Sequence, residues 1–201
     1  MLGFAILIAA MLGILVHELG HLVAARSVGL PVVGLTIGSG SELFGVTDRF
    51  GTRWKLALIP FGGSCSFLDR ASNQGQSPGL LDLSPSKRAI IYAAGPVANL
   101  TFAAGLLFLL SFHEGSVSTL AITSAEELIL LIGGLSLLLG LFSLVPLPPL
   151  DGGRLVMIAI EAIFGSPFSR ESERSIFAVG TATLTITSLI FCAILFNTLL
   201  L

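Results

Sequence analysis

The chain has 201 residues, of which 54% are hydrophobic and 11% charged, with a net charge of −2 and a mean hydropathy of +0.97. Soluble domains carry about 25% charged residues, so this composition excludes an ordinary water-soluble domain. Ten Lys and Arg against twelve Asp and Glu, with no basic run, also exclude a generally basic nucleic-acid binder. The remaining class is an all-α membrane protein, read as one membrane-embedded domain over residues 1–201.

Four segments have the roughly 20 apolar residues needed to cross the hydrocarbon core. The first is Leu2–Val28. It lacks a basic leading stretch and a small-residue cleavage site, so it reads as a retained helix rather than a removable signal peptide. Pro31–Ser66 does not read as helix. Val32–Ile37, Glu42–Thr47 and Thr52–Ile59 are β-branched or alternating, separated by the turn signals Gly38-Ser39-Gly40 and Asp48-Arg49-Phe50-Gly51. A small antiparallel, membrane-re-entrant β region between helices 1 and 2 is expected there. Spans two to four follow at Ala89–Phe112, Leu128–Val145 and Ile176–Leu199, with a shorter interfacial helix at Gly153–Phe164.

Charge orients these spans. Arg26, Arg49, Arg53, Lys55, Arg70, Lys87 and Arg88 fall between spans one and two, and Arg154, Arg170 and Arg174 between three and four. The Glu114–Glu127 loop and both termini carry no Lys or Arg, so the positive-inside rule puts both termini outside and the basic connections in the cytoplasm. At about 1.5 Å per residue, His17 lies roughly 24 Å below the outer face, toward the cytosolic side.

Residues 17–21 read His-Glu-Leu-Gly-His inside the first span. In H-E-x-x-H, two imidazoles four residues apart share one helix face and can hold Zn²⁺, and the glutamate, here Glu18, stands beside the attacking water as general base. Ionisable groups at membrane depth are costly and mark function. A catalytic zinc needs three protein ligands and an open position, so His17 and His21 need a third. The remaining histidine, His113, sits at the outer end of span two beside Glu114 and reads as a solvated loop residue. An acid is the better candidate: Asp151, in Val145-Pro-Leu-Pro-Pro-Leu-Asp-Gly-Gly153. Pro146, Pro148 and Pro149 prevent a continuing helix, and Gly152 and Gly153 permit close chain approach. Taken alone, Asp151 equally reads as a helix cap; beside an intramembrane H-E-x-x-H it reads as the ligand. Cys65 and Cys192 match no metal spacing and read as small apolar fillers.

These residues resemble the site-2 protease family of intramembrane zinc metalloproteases, in its bacterial regulator-of-sigma-E protease branch. Four signals occur in order: His17-Glu18-Leu19-Gly20-His21, Ile59-Pro60-Phe61-Gly62-Gly63, Gly95-Pro96-Val97-Ala98-Asn99, and Pro146-Leu147-Pro148-Pro149-Leu150-Asp151-Gly152-Gly153. The resemblance implies a zinc endopeptidase of the bacterial inner membrane, surrounded by lipid bilayer, whose partner is a transmembrane segment of a substrate protein. It implies substrate contacts at Gly62, Gly63, Asn99 and Ser143. Ser143 stands where the family often has Asn, and its hydroxyl has a shorter reach and no amide. Asn99 reads either as a ligand of substrate or intermediate or as an interhelical hydrogen bond, and Gly95-Pro96 as a kink or close helix contact. The branch carries PDZ domains between spans; Leu68–Ser86 and Glu114–Glu127 are too short for one. The β region is expected to offer an edge strand to substrate or to act as a cytosolic lid. Two rivals are a metal transporter, which predicts polar residues strung along the spans, and a non-cutting binder of transmembrane segments, which predicts loss of Glu18 or a ligand.

Overall fold

A computed structural model describes residues 2–68, 78–112, 125–166 and 168–200, without the side chains of 2, 170, 189 and 191–200. His113, Glu114 and Arg70 lie outside the described residues, as does the Cys192 side chain. The order is α1 (Leu2–Ser27), β1 (Val32–Thr47), β2 (Arg53–Phe67), a 3₁₀ turn (Leu80–Asp82), α2 (Pro85–Leu110), α3 (Ala125–Ser143), α4 (Asp151–Phe164) and α5 (Arg170–Leu200).

Among the described residues three helices are long and apolar enough to cross a membrane, within α1, α2 and α3. Several boundaries differ from the sequence reading. Helix α2 starts at Pro85 rather than Ala89, because proline suits the first helical turn, where its missing N–H costs nothing; Lys87 and Arg88 therefore lie inside the helix. Helix α3 stops at Ser143, before Pro146. Helix α4 starts at Asp151 rather than Gly153, and α5 at Arg170 rather than Ile176.

The β region is one antiparallel pair, but longer and more bent than three separate short strands. Val32–Ile37 pairs with Gly63–Phe67, while Glu42–Thr47 pairs with Arg53–Ala57. The ribbon also folds over itself, bringing Gly34–Ile37 beside Arg53–Leu56. Left-handed glycines make the bends, with φ of +87° at Gly38 and +81° at Gly62, a region costly for other residues. Strand β2 therefore does not end at Ile59; it bends through Pro60–Gly62 and continues to Phe67.

The core lies toward one end of the helices. Leu22 and Ala25 of α1, Leu35 of β1, Leu80 of the 3₁₀ turn, Ile91 and Tyr92 of α2 and Ile158 of α4 form one buried cluster. Helices α1 and α2 approach until a Cβ at Gly20 would overlap the Ala94 carbonyl and Ala98, the small-residue packing that serves where lipid removes the hydrophobic drive between helices. Helix α4 is tied to α2 by an ion pair between Arg88 and Glu161, whose side chains are 10% and 14% exposed.

The sheet is fastened to the end of α1. Asp48 accepts from Arg26 Nη2 at 2.6 Å, Phe50 N at 2.8 Å, Thr52 N at 3.0 Å and Trp54 Nε1 at 3.1 Å. Burial pushes the Asp48 carboxyl up, but these donors outweigh it and hold the group well below the usual carboxylate range. A carboxyl whose pKa is lowered by folding stabilises the fold above its unfolded value, about 3.9, and that contribution is lost as pH falls through the folded value. Asp48→Ala is therefore expected to speed amide hydrogen exchange at Phe50 and Thr52. In the wild type the same amides should be protected at neutral pH and lose protection only in strong acid. Equal exchange in variant and wild type at pH 7 would show that the tie does not hold the turn.

Candidate metal centre

Helical geometry places His17 and His21 one turn apart on a single face of α1. Their Nε2 atoms lie 3.2 Å apart, with the rings nearly perpendicular at 83°. Asp151 reaches both: its Oδ2 is 2.9 Å from His17 Nε2 and 3.3 Å from His21 Nε2. Asp151 is the first residue of α4, and Leu150 occupies the cap position, so the carboxylate is turned to the histidines rather than spent on capping. Gly152 and Gly153 make this possible: a Cβ at Gly152 would overlap the Leu144 and Val145 carbonyls, and one at Gly153 the Leu147–Pro148 backbone.

The far sides of both rings are also engaged. His21 Nδ1 lies 2.8 Å from the Ile91 carbonyl oxygen, and His17 Nδ1 lies 3.3 Å from the Asn99 side-chain amide. Gly95 completes the cradle, since a Cβ there would collide with Nε2 of both histidines. The sequence alone reads Gly95 as a kink or close helix contact, and no local pattern distinguishes that from a glycine that lines a metal site.

This donor set fits zinc. Two imidazole nitrogens and one carboxylate oxygen are the set of a catalytic site with an open position. A tetrahedral ion with bonds of about 2.0 Å needs ligand atoms about 3.3 Å apart, close to the separations found. The three side chains form the one potential metal-holding cluster among the described residues.

Glu18 is 6% exposed and faces, with His17, His21 and Asp151, a cavity of about 620 Å³. The Gly62–Phe67 stretch of β2 forms another wall, with Gly63 packed close to Glu18, and Ser143 and Arg154 also line it. Gly62 and Gly63 thus border the cavity, as does Ser143, whose hydroxyl donates to the Gly140 carbonyl at 2.9 Å within its own helix. Asn99 is fully buried behind His17 and is not among the lining residues. Burial pushes the Cys65 thiol up to about 12; the side chain is partly buried against the core cluster and lines this cavity. Sequence reasoning missed Arg154, which donates to the Tyr92 hydroxyl at 2.9 Å and stacks between the Tyr92 and Phe177 rings.

Comparisons with known proteins bear on the family and the fold. The model of peptidase family M50 matches residues 5–130 and 115–187. The regulator of sigma-E protease of Escherichia coli is 42% identical over 98 residues, covering 46% of this chain and 22% of that protein. The corresponding protease of Salmonella typhimurium is 42% identical over 104 residues, covering 49% of this chain and 23% of the relative. The chain spans less than a third of the length of the curated relatives it matches. The solved site-2 protease from Methanocaldococcus jannaschii superposes with a TM-score of 0.56 at 21% identity, covering 96% of this chain and 68% of that one, a likeness of fold.

Proposed function

Because the chain belongs to peptidase family M50, we propose that it is an intramembrane zinc metalloprotease that hydrolyses a peptide bond within or near a transmembrane segment of another membrane protein. One observation carries this reading: two ligand atoms from a helix long and apolar enough to cross a membrane and a third from Asp151 at the start of α4 converge within 3.3 Å, with Glu18 facing the same cavity. His17, His21 and Asp151 would hold the ion, which supplies Lewis acidity and makes water acidic enough to be deprotonated near neutral pH. The Glu18 carboxylate takes the proton from the attacking water and returns it to the leaving amine.

A helical substrate hides its carbonyls in its own hydrogen bonds and must unwind to be cut. Among the described residues Gly63–Phe67 of β2 pairs on one side only, with Val32–Ile37, and it lines the cavity. An unwound peptide adding to its free edge would recover main-chain hydrogen bonds without side-chain specificity. Leu43, Phe44, Leu58 and Phe61, all more than half exposed, give the sheet an apolar surface suited to dipping into lipid. Helix α5 serves as a fourth span. The basic connections then lie in the cytoplasm, both termini lie outside, and the site opens toward the cytosolic side of a bacterial inner membrane.

The test uses purified full-length protein in liposomes with a set of single-span reporter substrates. Cleavage inside the span, lost on chelation and restored by added Zn²⁺, is the expected result. Cleavage that persists in metal-free protein, or no cleavage of any reporter by zinc-loaded protein, would overturn the proposal.

A further inference from the structure

An imidazole that presents Nε2 to a metal must carry its proton on Nδ1, which makes Nδ1 a donor in need of an acceptor. His21 has one in the Ile91 carbonyl. For His17 the facing group is the Asn99 amide, with Nδ2 placed 3.3 Å from Nδ1. In that orientation two donors would meet, and Asn99 Oδ1 is left buried without a partner. The oxygen and nitrogen of a side-chain amide are told apart only by their hydrogen-bond network. Turning the amide over removes the donor–donor contact and pairs the stranded oxygen with the His17 ring N–H.

On the zinc reading above, we infer that Asn99 is a positioning residue for the metal: its Oδ1 accepts from His17 Nδ1–H and holds the ring in the tautomer and orientation that leave Nε2 free to bind. Its location suits this task. The side chain is fully buried, and its own backbone carbonyl is held by the Ser136 hydroxyl of α3 at 3.2 Å. Asn99 therefore aligns a ligand from behind and does not need to touch substrate. Outer partners of this kind fix the tautomer of a ligating histidine and raise its basicity, and their loss typically weakens metal binding about 10–100-fold.

Zinc affinity, read by chelator competition on the full chain, tests the inference without a proteolysis assay. Asn99→Leu keeps the size and removes the acceptor; it is expected to bind zinc about 10–100-fold more weakly. Asn99→Asp keeps an oxygen toward Nδ1 and is expected to stay close to the wild type. Nitrogen-15 spectra of labelled histidines in the zinc-loaded wild type should show His17 protonated at Nδ1. Wild-type affinity in Asn99→Leu, weaker binding by Asn99→Asp than by Asn99→Leu, or a His17 bound through Nδ1 would each overturn the assignment. Should the buried charge of Asn99→Asp prevent folding, the wild-type spectrum decides alone. A wild type that binds zinc no better than His17→Ala would instead sink the zinc reading itself.

Discussion

Glu18→Gln is expected to lower the rate of reporter cleavage by about a hundred- to ten-thousand-fold, the usual contribution of general acid–base catalysis, while zinc content stays at the wild-type level. The substitution keeps the size and the helix propensity of the side chain and removes its ability to take a proton near neutral pH. The converging ligand atoms come from His17, His21 and Asp151, so the three-ligand site stays complete in the variant. Its burial among these three groups and against the Gly63 segment leaves few places from which another base could act. A variant that still cuts within tenfold of the wild type would assign the proton transfer elsewhere.

Gly95→Ala is expected to weaken zinc binding by more than the roughly 10–100-fold that follows loss of an outer partner, and to abolish cleavage with it. The added methyl collides with Nε2 of both histidines, where the ligand lone pairs meet. Alanine is the better helix former by about 1 kcal/mol, so a weakened α2 cannot be the cause of the loss. Backing α2 away would give up its close packing against α1 at Gly20. Gly105→Ala on the same helix, where a Cβ meets nothing within 4 Å, is the control and should leave zinc affinity and cleavage unchanged. Wild-type zinc affinity in Gly95→Ala would mean that the helices separate enough to admit the methyl, and that the cradle is not shaped by this residue.

The parts of the site that were readable in advance follow from local chain geometry. Two histidines four apart share a face of any helix, and a Pro-rich segment ending in Asp-Gly-Gly cannot stay helical, so a freed carboxylate near Asp151 was foreseeable. The rest depends on which backbones meet. Nothing in the sequence shows that Gly95 lies opposite His17 and His21, or that the Ile91 carbonyl receives His21, because both require the depth to which α1 and α2 interpenetrate at Gly20. The fold-over of the sheet was equally hidden. Pro60 and Gly62–Gly63 look like a terminus when only local propensity is considered, yet left-handed Gly62 turns the strand and carries it back along β1. Helices α2 and α5 start earlier than their apolar runs, because charged residues extend them: Lys87 and Arg88 lie within α2, with the aliphatic part of their side chains able to share the apolar face.

The buried pair of Arg88 and Glu161 constrains how this protein can drift over generations. Breaking such a pair by losing one partner costs about 3–5 kcal/mol, whereas exchanging both for well-packed apolar residues is often neutral or better. The two intermediate genotypes are therefore the unfit ones, and the paths between an ionic and an oily version of this contact run through a valley. Lineages that share the fold should accordingly differ at both positions or at neither, so that residues 88 and 161 are inherited as a linked character.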